Sequence, residues 1–301
     1  MAVLVLLSVA LLAGPLLMTP YWTGLLTQIV ILAILAMSLD LLLGYTGLPS
    51  LGHAGLFGVA AYGVGILSTT YQANVWVAAV GGLLTGILLA ALFGLIVSHV
   101  RDVYFLMITL ALGMVLWGLR FRWIPVTGGD NGISGIPRLE AHIGLPGTGP
   151  VPFYYVALLV LAASSALMVL LVRSPFGLTL RGIRENERRM MSLGFNTWLH
   201  CYLSYVLSGA FASVAGVMWA YYNGFVSPTY LDLTASSELF LMVTLGGPAT
   251  LVGPVLGAGA IVLLKNVMSA YTARWLLVLG IVYIATIMWA PQGIWNLGKR
   301  S

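Results

Sequence analysis

The side chains in this chain that could do chemistry are few and stand far apart. Asp40, Glu238 and Lys265 are ionisable groups within apolar runs, Ser50 and His53 follow a glycine-rich break, and a dense charge cluster fills 173–197. An ionisable group in an apolar span is costly and is a functional candidate by default. Ser50, His53 and Asp40 offer the hydroxyl, imidazole and carboxylate of a nucleophile, its base and an orienting group, which would make an enzyme. Against that, there is no nucleophile elbow, no H-E-x-x-H pair and no clustered set of metal ligands. No G-x-x-x-x-G-K-[ST] phosphate loop occurs either, so the chain does not hydrolyse ATP by that route. The single cysteine, Cys201, excludes an internal disulfide and reads as a small buried thiol. The expectation is no catalytic residue, no metal site and no cofactor held by this chain.

The elements that must position these residues can be read from composition. The 301 residues are 60% hydrophobic and 7% charged, with a mean hydropathy of +1.02. A water-facing domain carries roughly a quarter charged residues, so most of this surface faces lipid. Crossing the hydrocarbon takes about 20 helical residues, and a helix satisfies its own backbone polar groups where lipid cannot. The spacing of apolar runs predicts spans near 2–19, 22–43, 54–70, 74–98, 103–119, 153–172, 200–221, 232–246, 254–269 and 275–290. The N-terminus lacks a basic leader region, so 2–19 reads as a retained span. The fold class is therefore all-α: a polytopic transmembrane helical bundle of about ten spans, some broken or re-entrant. It forms one transmembrane domain over residues 1–301.

The basic residues orient it. Arg101, Arg173, Arg181, Arg184, Arg188, Arg189, Lys299 and Arg300 fall on the side of the termini, against Arg120, Arg122, Arg138 and Arg274 opposite. By the positive-inside rule the termini and loop 173–197 are cytoplasmic and stretch 120–152 is external. The net charge of +5 needs no nucleic-acid partner to explain it.

Two glycine-rich breaks interrupt the apolar pattern, one over Gly44-Tyr45-Thr46-Gly47 to Ser50 and His53, the other over Gly246-Gly247 to Thr250 and Pro254. Irregular backbone at membrane depth survives only inside protein or beside a water-filled cavity, and matching interruptions in two halves point to a transport path. Thr46, Ser50 and Thr250 supply hydroxyls there, and free backbone N–H groups could hold a carboxylate. Packing explains the Gly82/Gly86 and Gly253/Gly257 pairs. His53 reads either as a hydrogen-bonded structural histidine or as a lining of the path. Asp40 is either a functional carboxylate or a group hydrated at the cytoplasmic end or paired with Arg101. Glu238 and Lys265 are read as a charge pair across helices.

In 173–197, Leu180, Ile183, Met190, Met191 and Leu193 recur at roughly helical spacing among charges, and Gly194 is a stop. Such an amphipathic helix lies in lipid headgroups or enters a groove on a partner; Glu185 and Glu187 among the arginines favour the groove. The external stretch carries Thr127, Gly128, Gly129, Asn131 and Gly132, a tight turn that could also gate an entrance.

These blocks carry a resemblance. Loop 173–197 resembles the cytoplasmic loop by which ABC-transporter permeases dock on their ATPases, and Leu180-Arg181-Gly182-Ile183-Arg184-Glu185-Asn186-Glu187 with Leu193-Gly194 is similar to the branched-chain amino acid permease family, on the LivM side of the LivH/LivM pair. Leu41 to Gly47 with Ser50 to Ala54, Thr127 to Pro137, and Leu245-Gly246-Gly247 with Leu251 to Pro254 resemble three further blocks of that family, in order. Two positions depart from it. Arg188, Arg189 and Met190 stand where small residues are usual, and Asp40 stands where asparagine is usual.

The resemblance implies a permease subunit in the cytoplasmic membrane of a prokaryote. It implies a homologous LivH-like second permease, two cytoplasmic ATPases that bind ATP and magnesium, and an external substrate-binding protein. The cargo would be leucine, isoleucine, valine or similar small amino acids, with urea or short amides carried by near relatives. An ion-coupled transporter is the competing class; it would cycle protons or sodium on Asp40 or Glu238 and would not need loop 173–197.

Overall fold

The computed structural model describes residues 18–139, 150–271, 274–289 and 293–297. The expected first span and the charges Lys299 and Arg300 lie outside the described residues.

Helix α1 (Pro20–Asp40) begins with proline at its first position, where the missing N–H would have had no helical partner. No charge interrupts it before Asp40, and it continues into a wider π-helical turn over Leu41–Thr46 that ends at Gly47 with φ +78°. Ile31, Ala33, Ile34, Ala36, Leu39, Leu41 and Leu42 are all fully buried. A helix apolar on every side and buried on every side is the interior of a bundle. Around α1 pack α6 (Val151–Arg173), α8 (Thr197–Asn223), α9 (Leu233–Gly246) and α10 (Val252–Tyr271).

Beside this group, α2 (His53–Thr69) and α3 (Val75–Val97) pack against each other and against α8. Lipid tails are as apolar as leucine, so these helices associate through close van der Waals approach at small residues. A methyl group at Gly82 would lie 2.7 Å from the Ala60 carbonyl oxygen, and one at Gly86 would run into Ser213 of α8. Gly253 and Gly257 likewise bring α10 onto the backbone of α9. Outer faces carry the apolar residues that a soluble protein would hide: Leu84, Leu88 and Leu92 on α3 are exposed, as are Met107 and Val115 on α4 (Asp102–Arg122).

Helices therefore occupy every expected segment within the described residues, and the architecture is an all-α membrane bundle. Among the described residues, six helices are long and apolar enough to cross a membrane: Pro20–Thr46, Val75–Val97, Asp102–Arg122, Val151–Arg173, Thr197–Asn223 and Val252–Tyr271. His53–Thr69, Leu233–Gly246 and Leu277–Thr286 are shorter apolar helices. The breaks shorten two of them. At 1.5 Å per residue, α2 and α9 reach only about 25 and 21 Å.

Outside the bundle, Trp123 leads into the single-turn α5 (Ile124–Thr127), after which Gly128, Gly129 and Gly132 all take positive φ. The chain then forms a short antiparallel ribbon, β1 (Ile133–Ser134) with β2 (Phe225–Val226), pairing Ile133 with Val226. This ribbon is the one departure from an all-helical pattern among the described residues. Between α6 and α8 runs α7 (Pro175–Ser192), and α11 (Trp275–Trp289) and α12 (Ile294–Leu297) complete the described chain.

Candidate functional site

The charged stretch 173–197 folds as two helical pieces. Ser174 accepts the N–H of Gly177 at the start of α7, and the helix runs to Asn186, whose backbone is extended (φ −162°, ψ 98°). Asn186 then caps the second piece, its Oδ1 accepting the N–H of Arg189 at 3.0 Å. At the end, Gly194 (φ +87°) donates to Met191 and Phe195 to Met190, the paired bonds of a Schellman stop. Leu180 and Ile183 are buried against the bundle, whereas Leu178, Met191, Leu193 and Phe195 are exposed. Glu185, Asn186, Arg188 and Arg189 share that exposure. An apolar patch among mixed charges is the composition of a protein contact.

The inner face of α7 grips the first glycine break. Arg184 donates to the backbone carbonyl of Gly44, and its Cγ would lie 2.9 Å from a Cβ on Gly47. The Arg181 guanidinium sits 5.1 Å from the centre of the Tyr45 ring, a cation–π distance. Thr46 returns its hydroxyl to Leu41 at 3.0 Å, inside the wide turn. Arg101, at the start of α4, is not a partner for Asp40. It holds Glu187 through two bonds, Nη2 to Oε1 at 2.6 Å and Nε to Oε2 at 2.8 Å. Those bonds keep the Glu187 carboxyl below the usual carboxylate range.

Asp40 instead bridges the two breaks. Its carboxylate is buried and accepts the N–H groups of Ala249 at 2.7 Å and Leu251 at 3.2 Å. Ala249 and Leu251 have φ of +64° and +55°, a left-handed conformation that costs a residue with a Cβ roughly 1–2 kcal/mol. A charge-assisted pair of bonds to Asp40 offsets that strain. There is no space to spare, since a Cβ on Gly44 would collide with both Asp40 and Ala249. Thr250 accepts from Gly253 at 3.0 Å and donates to Gly247 at 2.7 Å, opening α10. Gly246 and Gly247 are buried beneath it.

His53 is fully buried at the start of α2, its Nε2 3.1 Å from Ser38 Oγ and 3.0 Å from Ser208 Oγ. Both serine hydroxyls already donate to carbonyls, Ser38 to Leu35 and Ser208 to Ser38. Nε2 must therefore carry the proton, a tautomer assigned from its neighbours. Ser50 is fully buried and its hydroxyl has no protein partner.

The glycines of the stretch expected to be external form a compact knot. Thr127 donates to the Arg120 carbonyl at 2.6 Å and accepts the N–H of Gly129 at 3.3 Å. A Cβ on Gly128 would strike the Gly132 carbonyl. Gly129 is buried and Asn131 exposed. The ribbon ties this knot to the segment that follows α8 in the chain and carries Tyr230.

Tyr230 faces a cavity of about 300 Å³ that the glycine-break residues do not line. Its wall includes Leu32, Leu35, Phe57, Trp219 and Met242, with Glu238 and Lys265 at one side. Lys265 Nζ lies 3.0 Å from both Glu238 oxygens, the expected pair. Phe57, Trp219 and Tyr230 contact one another with ring centres 5.6–6.4 Å apart. Sequence reasoning missed these aromatics, because each sits in a different element and no motif contains two of them.

A family model described as "Branched-chain amino acid transport system / permease component" matches residues 21–287. The chain is 28% identical to the high-affinity branched-chain amino acid transport system permease protein LivM of Escherichia coli (strain K12), over 97% of this chain and 74% of that one. It is 29% identical to LivM of Salmonella typhimurium over 89% of this chain and 68% of the other. LivH of E. coli K12 is similar over a shorter stretch, 29% identical across 36% of this chain and 35% of its own length. With its ordered blocks placed at the breaks, the loop helix and the external knot, the chain belongs to the branched-chain amino acid transport permease family.

Proposed function

We propose that this chain is one of two membrane subunits of an ATP-driven importer for leucine, isoleucine, valine or a similar small amino acid. Its relatives are named as permeases of branched-chain amino acid transport systems, and some are LivH, which supports a homologous second permease as partner. Two cytoplasmic ATPases would supply the ATP–magnesium chemistry, and an external binding protein would deliver the cargo. The protein would sit in the cytoplasmic membrane of a prokaryote with its termini inside, crossing about ten times if the shorter helices and the expected first span are counted with the longer ones.

The observation that carries the reading is the grip of α7 on α1. Its outer face presents Leu178, Met191, Leu193 and Phe195, while on the inside Arg184 holds Gly44 and Asp40 holds the second break. Motion imposed on α7 by an ATPase would reach both breaks through these contacts. The partner must favour one arrangement energetically for this to drive a cycle. An ion-coupled mechanism is less well supported, since Asp40 is engaged by backbone donors and Glu238 by Lys265.

The test is reconstitution of the whole complex with Arg184→Glu and Glu185→Arg combined. Hydrolysis of ATP stimulated by loaded binding protein should be lost. Normal stimulation in that variant would rule out α7 as the coupling element.

A further inference from the structure

Glu238 lies where three cavities meet. One, of about 440 Å³, runs between α4, α9 and α11 past Leu106, Leu241 and Leu279. The second is the aromatic-walled cavity of about 300 Å³ beside Tyr230. The third, about 380 Å³, passes Gln28, Ile261 and Asn266 towards Ser269 and shares Lys265 with the second. A pair that only braced two helices would be packed around. Here both charges border open space.

The two partners differ in exposure. The Glu238 side chain is 15% exposed and that of Lys265 is 42% exposed, so the carboxylate lies deeper and the ammonium nearer the open side. The cavity beside Tyr230 is lined mostly by aliphatic and aromatic side chains, with Thr229, Thr234 and Asp232 as its other polar groups. Asp232 already accepts from Leu233 and Thr234. Such a lining suits a binding cavity in which a few charges set the orientation.

We propose that Glu238 and Lys265 bind the cargo's α-ammonium and α-carboxylate, with Leu32, Leu35, Leu239 and Met242 receiving its aliphatic side chain; this rests on the amino-acid importer reading above. Without cargo the pair neutralises itself, which avoids a lone charge in the bilayer. A zwitterion entering the cavity exchanges that contact for two, its ammonium on Glu238 and its carboxylate on Lys265. No net charge is added at any stage. Phe57, Trp219 and Tyr230 close one side, and Tyr230 is joined through the β1–β2 ribbon to the external glycine knot. Occupancy of the cavity and the state of the external loop are thus mechanically linked.

The experiment is uptake of tritiated leucine by proteoliposomes containing the intact complex, loaded with its binding protein and ATP, normalised to assembled complex. Glu238→Gln, Lys265→Met, the double neutral variant and the exchange Glu238→Lys/Lys265→Glu are compared. Each should lose about tenfold or more of uptake, because a site built for a zwitterion rejects cargo when its counter-charges are removed or set in the opposite order. Wild-type uptake by the double neutral variant would make the pair a brace and overturn the proposal. Failure of that variant to assemble would do the same, since it leaves no lone charge and should fold. If the wild-type complex imports leucine and the pair variants do too, only this inference falls. If the wild-type complex carries urea or short amides and no amino acid, the cargo reading falls with it.

Discussion

Arg184 on α7 donates a hydrogen bond to the carbonyl of Gly44 in the π-helical end of α1, although the two lie 140 positions apart in the chain. The last carbonyls of a helix have no partner within it, and a π-helical turn is a frequent mark of a functional site. An arginine from α7 thus completes the end of a buried helix of the bundle. Arg184→Ala should weaken this docking by about 1 kcal/mol, the net worth of one such bond near solvent. Amide exchange should rise over both 41–47 and 180–190. If it rises only over 180–190, α7 and α1 are not coupled there.

Asp40 is placed to hold a strained loop. Asp40→Asn keeps its size but replaces one acceptor with a donor facing a backbone N–H, and should cost roughly 1–3 kcal/mol. The check is thermal unfolding of the purified complex. Adding Ala249→Gly, which tolerates positive φ without the Cβ penalty, should restore part of the loss. A double variant no more stable than Asp40→Asn alone would show that strain at Ala249 is not what Asp40 offsets.

The Arg101–Glu187 pair has a pH signature. Its bonds hold the Glu187 carboxyl below its ordinary value. A depressed carboxylate contributes stability that is present above its unfolded pKa of about 4.3 and is lost as pH falls through the lower folded value. Glu187→Gln should therefore reduce stability by about 1 kcal/mol at neutral pH, and the two proteins should converge below about pH 4. Unfolding midpoints measured across that range decide it; a gap that persists in acid assigns the effect to packing.

In the glycine knot, Gly128 has φ +72° and no room for a Cβ beside the Gly132 carbonyl. Gly128→Ala should disturb the knot by roughly 1–3 kcal/mol, as overpacking does, and slow leucine uptake. A control at Gly135, which is also left-handed but has open space around it, should lose less. Equal loss at both would mean backbone conformation, rather than the crowded contact, matters there.

Much of this was legible in the sequence. Apolar runs located the helices, because hydropathy over about 20 residues is a local property. Gly194 marked the end of α7 and the paired glycines marked close helix contacts, since each depends on residues only a few positions apart. The Glu238–Lys265 pair was legible too, because an intramembrane lysine needs a counter-charge. Asn186 shows where local reading stops: its capping role appears only once the helix is seen to break there.

What the tertiary structure decided is which distant pieces meet. Asp40 reaches Ala249 across 209 positions, while Phe57, Trp219 and Tyr230 form one wall from three separate elements. Arg101 turned to Glu187 rather than Asp40. No periodicity encodes such pairings, because they depend on how helices cross and which faces turn inward. The ionisable residues therefore announced themselves as isolated charges in an apolar chain, and only their packing showed that one braces a loop, one ties down α7 and two face a cavity.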